Sequence, residues 1–253
     1  MKNYNIYPYR TDLIFSNQNI IDINNNQTEI NILSNIYKEN IYKTILFNNL
    51  NNTKNIENAL SKEILFFFNS MNIHKNSHIF IVGLGNINHT ADSTGPKVLK
   101  HIKVNSYLEN IGIKISGNKV SALEPGVLGE TGILTEKIIK SVSNEIKPDL
   151  IILIDSYVSD NISYLNKTIQ INNSGISPGS GIKGINTKID KKSLGIPVLV
   201  IGVTTAIEIK FTNDTNNNNF IPYLLSTKDI DEFIDNISKI IGNSINKSIN
   251  DLK

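Results

Sequence analysis

Apolar positions along the chain fall into two rhythms. Leu60, Ile64, Phe67 and Met71 recur at three- and four-residue intervals, which predicts an amphipathic helix over residues 57–71. HIFIVGLG follows as a short continuous apolar run closing on glycines, the pattern of a fully buried strand. A helix is predicted after Gly95–Pro96, where proline is tolerated in the first turn, and KVSAL (119–123) reads as a strand. Ile138, Ile139, Val142 and Ile146 mark one face of a helix that Pro148 terminates. DLIILID and IPVLVIGV are two more buried strands, while TIQIN (168–172) alternates like a half-exposed one. Ser226 with Asp229 forms a capping pair for a last helix, and Ile230, Phe233, Ile237 and Ile241 line its buried face. Residues 1–56, rich in Asn and Ile without a clean period, read as loop with short strands. TNDTNNNN (212–219) reads as a polar low-complexity loop with too little apolar surface to order itself. No internal repeat is present.

Continuous apolar strands separated by helices predict an α/β fold built on a largely parallel sheet with helices on both faces. In such sheets the ligand crevice lies beyond the carboxyl ends of the strands. The strand closing at Gly83 runs into GLGNINHTADSTGP, which places Asp92 above its carboxyl end, and the strand 150–154 delivers Asp155 at its own end. PGSG (178–181) and Thr204–Thr205 follow other strands and are placed to approach the same crevice. Two carboxylates held there can divide acid and base work, because like charges at close range do not both ionise easily. The competing role for each aspartate alone is a helix cap or a turn.

Composition narrows the chemistry. The chain has 253 residues, 40% of them hydrophobic, so it can bury a sizeable core. Its formal net charge is +2 with 19% charged residues, too balanced to imply a nucleic-acid partner. There is no cysteine, which removes disulfides, thiolate metal sites and a cysteine nucleophile. No apolar stretch follows the first lysine as a secretory signal would require, and no run is long enough to span a membrane, so a cytoplasmic protein is expected.

Most competing motifs fail. GLGN (83–86) starts like a dinucleotide fingerprint, but Asn88 stands where its last glycine is needed, and there is no P-loop. Ser180 lies in a turn rather than a nucleophile elbow, since Pro178 replaces the first glycine of that motif. GVLGETG (126–132) supplies turns and a helix start, with amides free to face a substrate. The histidines His74, His78, His89 and His101 have no metal-binding spacing. His78 reads as core or strand edge and His89 as solvent-exposed, with a place at the site open to it. Tyr157 and Tyr164 read as packing or rim aromatics. No metal and no cofactor are expected.

Five ordered blocks then carry a resemblance: VGLGNINHTADSTGP, VSALEPGVLGETGILTEKIIK, KPDLIILIDSYVSD, NKTIQINNSGISPGSGI and LGIPVLVIGVTTAIE. Together they closely resemble the germination protease family, most densely over residues 78–208, with YRTDL and STKDIDEFIDNISKII similar to the family's two ends. The resemblance implies an endopeptidase of atypical aspartic type that degrades small acid-soluble spore proteins during germination, in the forespore or spore core. It implies a phosphorylase/hydrolase-like fold akin to that of hydrogenase-maturation peptidases, a homo-oligomer (a tetramer), and a zymogen trimmed at its N-terminus. The family's two proposed catalytic aspartates fall on Asp92 and Asp155. Its processing junction falls on Asp12 and Leu13, which makes residues 1–12 a pro-segment and 13–253 a single α/β peptidase domain. No membrane or nucleic-acid partner is expected. The long isoleucine stripe of the last helix also suggests an oligomer.

This chain departs from the family around these positions. It has TADST where proline usually precedes the aspartate, Ser177 where histidine is usual, Glu124 at a usually uncharged position, and a shortened segment over 212–226. Two other classes share features of this sequence. A metallopeptidase of the hydrogenase-maturation type needs a histidine well downstream of the strand-end aspartate, and no histidine follows His101. A noncatalytic sporulation protein with the same fold has no need of both aspartates.

Overall fold

The computed structural model describes residues 5–14, 30–177, 188–212 and 222–252. Among the described residues the sheet has nine strands: β1 (Asn5–Arg10), β2 (Ile30–Tyr37), β3 (Asn40–Phe47), β4 (His78–Gly83), β5 (Lys119–Leu123), β6 (Leu150–Ser159), β7 (Thr168–Asn172), β8 (Val198–Thr212) and β9 (Pro222–Leu225). They run in the order β2-β3-β7-β8-β6-β4-β5, and β1 and β9 pair with the far half of β8. The helices are α1 (Thr53–Ser70), α2 (Thr94–Leu99), α3 (Tyr107–Asn110), α4 (Leu128–Thr131), α5 (Thr135–Ile146), α6 (Lys191–Leu194) and α7 (Ile230–Asn250).

The α/β class and the helices on both faces hold, but the expectation of a largely parallel sheet is corrected. Three ladders are parallel: β4 with β5, β4 with β6, and β6 with β8. The five others, β1·β8, β2·β3, β3·β7, β7·β8 and β8·β9, are antiparallel. The physical source is the N-terminal region, read as loop with short strands. Its residues 30–47 form a long hairpin that adds to β7, and an antiparallel neighbour needs no crossover helix to announce it. With β3 on one edge and β8 on the other, β7 is buried along its whole length rather than half-exposed.

Alternate residues of the parallel strands feed two cores. Ile79, Ile81, Ile152, Ile154, Leu199 and Ile201 face α1 and α7. Phe80, Val82, Ile151, Leu153, Val198 and Val200 face the side covered by Ile139, Val142 and Ile146 of α5. Helix α1 begins where the Asn52 side chain accepts the Asn55 N–H at 3.3 Å, and Ile56, Leu60, Ile64, Phe67 and Phe68 are buried. In α7, Phe233, Ile237 and Ile241 are buried and Ile230 is half-buried, but the stripe is spent inside the molecule. It packs on α1 and α2, with the serines Ser61, Ser244 and Ser248 bonded at the crossing, so it offers no face to a second copy. The expected Ser226–Asp229 capping pair does not form. Asp229 stands at the cap position without a side-chain bond, because the Ser226 hydroxyl donates to Thr205 O at 2.7 Å instead.

Among the described residues no helix is long and apolar enough to cross a membrane. PGSG (178–181) and the part of TNDTNNNN beyond Thr212 lie outside the described residues.

Candidate active site

The Asp92 loop is shaped by what cannot fit there. Gly85 has φ +105°, and a Cβ on it would stand 2.0 Å from Asp92 O, so the loop can fold back on itself only with glycine. The Asn86 N–H then donates both to Asp92 O at 3.1 Å and to Asp92 Oδ2 at 3.0 Å. A 3-10 turn over Thr90–Asp92 closes through the Asp92 N–H donated to His89 O at 2.8 Å. Three ties fix this loop to the sheet. Leu84 N–H donates to Ile154 O at 2.8 Å, Thr205 Oγ1 donates to Ala91 O at 2.6 Å, and Ser156 Oγ donates to Thr94 Oγ1 at 2.8 Å. Gly95 allows the close approach, since a Cβ there would lie 2.6 Å from Ile154 O.

Asp155 differs from its expected setting. The strand does not stop at Ile154 but continues to Ser159, with Asp155 paired to Gly202 of β8. The neighbour β4 does stop there, because its last residue Gly83 pairs with Ile154. Asp155 therefore stands one step above the end of β4, in the notch left by the shorter strand. Its Oδ1 accepts the Ser156 N–H at 2.9 Å. Beneath it, Tyr157 is buried over Gly202, where any Cβ would strike the ring at 2.2 Å. Burial and the Asp155 charge push the Tyr157 phenol well above its ordinary range, so it stays neutral and packs, as its sequence reading had it.

Both aspartates line one open cleft of about 1270 Å³. Its other walls are the Leu84–Asn86 bend, the Gly126–Glu130 segment that enters α4, the start of α5, and Ser174–Ser177 after β7. Thr205 reaches it, whereas Thr204 is buried in the ladder opposite Tyr157. His89 is solvent-exposed and also lines the mouth. His78 is buried at the start of β4, with Nε2 2.7 Å from Ser121 Oγ. Burial raises the Asp92 carboxyl to about 6, against the opposing pull of the Asn86 N–H and of His89. Among the described residues no three His, Asp or Glu side chains gather as a metal-binding group.

The sequence singled out Asp12 and Leu13 as a processing junction but not their place in the cleft wall and the core. Asp12 lies in the wall of this cleft, donating its N–H to Val158 O at 2.8 Å and accepting the Val158 N–H on Oδ2 at 2.9 Å. Leu13 is buried in the second core, and Ile14 is clamped through N–H and C=O by the Gln170 amide at 3.1 and 2.9 Å. Glu208 of β8 also lines the cleft, and nothing in its local pattern singled it out.

The family model for germination proteases matches residues 20–225 of the chain. The chain is 45% identical over 147 residues to the germination protease of Caldanaerobacter subterraneus subsp. tengcongensis, covering 56% of this chain and 45% of that relative. It is 39% identical over 207 residues to that of Clostridium tetani, 66% of this chain and 64% of the relative. With the Priestia megaterium germination protease the identity is 39% over 164 residues, 63% and 44% of the two chains. The matches thus span between about two-fifths and two-thirds of these relatives' length.

Proposed function

The chain belongs to the germination protease family, and from that premise we propose that it is an endopeptidase that opens the degradation of small acid-soluble spore proteins when a spore germinates. The observation that carries the reading is the meeting of Asp92 and Asp155 in one cleft, one of them carrying a carboxyl raised to about 6 by burial. In the proposed division of labour Asp155 takes a proton from the attacking water. Asp92, still protonated, polarises the scissile carbonyl and then protonates the leaving amine. This is an atypical aspartic peptidase, with a fold kinship to hydrogenase-maturation peptidases and a working place in the forespore or spore core.

Processing between Asp12 and Leu13 belongs to the same proposal, with residues 13–253 as the mature α/β domain and a homotetramer as the working assembly. The position of Asp12 in the cleft wall supports a cut made within the molecule. The test is incubation of the purified protein with a small acid-soluble spore protein and mass spectrometry of the fragments. Internal cleavage by the parent, absent in Asp92→Asn and in Asp155→Asn, is the expected result. An intact substrate after prolonged incubation with the parent would point to a binding protein of the same fold, and cleavage restored only by a divalent ion to a metallopeptidase.

A further inference from the structure

We propose that the substrate peptide binds as an added strand, in the lane that β4 leaves empty beside β6, with one of its backbone N–H groups donated to Ser156 O. The substrate is then a segment of extended, unfolded chain rather than a helix. The inference rests on the endopeptidase reading and deepens it by naming how that same cleft holds the peptide.

The lane follows from the unequal lengths of neighbouring strands. β4 ends at Gly83, opposite Ile154, and the last rung between the two strands is the Leu84 N–H donated to Ile154 O at 2.8 Å. The chain then turns away through the Gly85 bend, against which Asp92 is held. β6 runs on to Ser159 with β8 along its other edge. Residues along a strand offer their N–H and C=O to opposite edges in alternation, so Ser156 and Val158 continue the edge that Ile154 presents to β4. Both are half-buried and line the cleft. Across it stands the Gly126–Glu130 segment that follows β5.

One rung of this edge is already filled by the chain itself. At Val158 the partner is Asp12, whose N–H donates to Val158 O at 2.8 Å while its Oδ2 accepts the Val158 N–H at 2.9 Å. Peptide backbone therefore fits against this edge. At Ser156 the N–H is taken by Asp155 Oδ1 at 2.9 Å, which leaves the C=O. Among the described residues that oxygen accepts no bond from a turn, a loop or a side chain. A strand edge with an unmet acceptor is a template for another extended chain. Ser156 directly follows Asp155, so a residue whose N–H reaches Ser156 O sets a neighbouring peptide bond beside that carboxylate. The same rung thus fixes the carboxylate on one side and the substrate on the other. Because the open group is an acceptor, recognition requires a donor N–H at one substrate residue. It requires none at the residues on either side, whose N–H groups point away from β6.

The experiment takes a short synthetic peptide spanning the bond that the full chain cuts in a small acid-soluble spore protein. Each backbone amide except the scissile one is replaced in turn by an ester, which removes the N–H without adding bulk, and in a second series by an N-methyl amide. One position within about two residues of the cut is expected to lose about fivefold in kcat/KM as the ester, mainly through KM. As the N-methyl amide, which also obstructs the edge, it should lose more than about tenfold. Its neighbours should stay within about twofold as esters. A flat ester scan overturns the proposal, and so does equal sensitivity at adjacent residues, which an added strand cannot give. If no bond in the spore protein is cut, the endopeptidase reading fails and the proposal falls with it. A cut peptide with a flat scan fails the proposal alone.

Discussion

The carboxyl of Asp92 holds its proton to about pH 6 because it is partly buried, and this affects stability as well as chemistry. An aspartate whose native pKa lies above its unfolded value favours folding when protonated. Its contribution is full below the unfolded value and is lost as pH rises from about 4 to about 6. Asp92→Asn, which keeps an oxygen to accept the Asn86 N–H, is therefore expected to exceed the parent in stability above pH 6. The gain is about 2 kcal/mol at pH 7.5 after allowing for solvent screening, with none at pH 3.5. Urea melts at the two values check it, and equal curves at pH 7.5 would refute the burial account. The same substitution should lower kcat by about a thousandfold, as should Asp155→Asn. In the parent, kcat/KM should decline as pH rises through about 6, since the acid form of Asp92 is then lost. A rate that climbs through that range would make Asp92 the base.

At the scale of elements, the 3-10 turn that presents Asp92 hangs from β8 by one side-chain bond, Thr205 Oγ1 to Ala91 O. Thr205→Val keeps the shape and removes the donor. It is expected to cost about 1 kcal/mol of stability and to lower kcat several-fold with little change in KM, measured by melts and by initial rates. Unchanged kinetics would mean that the Gly85 bend alone holds the turn. The parallel heart of the sheet was legible because Ile79–Gly83, Leu150–Ile154 and Val198–Val203 are unbroken apolar runs, and the helices because α1, α5 and α7 carry clean stripes. The hairpin of β2 and β3 was not. Its turn takes left-handed backbone at Lys38 (φ 48°) and Glu39 (φ 67°), which lack the Asn-Gly or Asp-Gly signature of such turns. The length of β6 was hidden for a related reason. Its apolar run ends at Ile154, and the polar residues beyond keep strand geometry only because β8 runs alongside them. Asp92 was legible as a loop carboxylate and Asp155 as the residue that closes an apolar run, although β6 continues past it to Ser159. Asp12 was legible only as a processing junction through the family resemblance, because its tie to the cleft is a contact 146 residues away in sequence.

For the whole molecule, the isoleucine stripe of α7 is consumed by the core, so the proposed homo-oligomer has to use other surface. Ile32 and Ile36 on the outer strand β2, with Leu224 and Leu225 on β9, are exposed apolar side chains. Light scattering at micromolar concentration is expected to give a mass well above 28.2 kDa, and a monomer would refute the assembly. Processing is the other event at this scale. Prolonged incubation at mildly acidic pH should remove the first twelve residues from the parent and leave Asp155→Asn intact, read by intact mass. A parent that stays uncut while digesting spore protein would separate activity from processing.

The grip on the residues after Asp12 has a consequence of its own. A chain cut between Asp12 and Leu13 begins with an α-amino group on Leu13, and that group cannot drift away. The Leu13 side chain is buried and the Ile14 backbone is held at both its polar atoms by Gln170. Such amines are ammonium ions below about pH 8, so the cut would plant a fixed positive charge beside the cleft, where the uncut chain has a neutral peptide bond. A cation held there favours the ionised form of nearby carboxyls. Maturation would then do more than clear a segment away: it would retune the acidity of the proposed catalytic pair by the product it leaves behind.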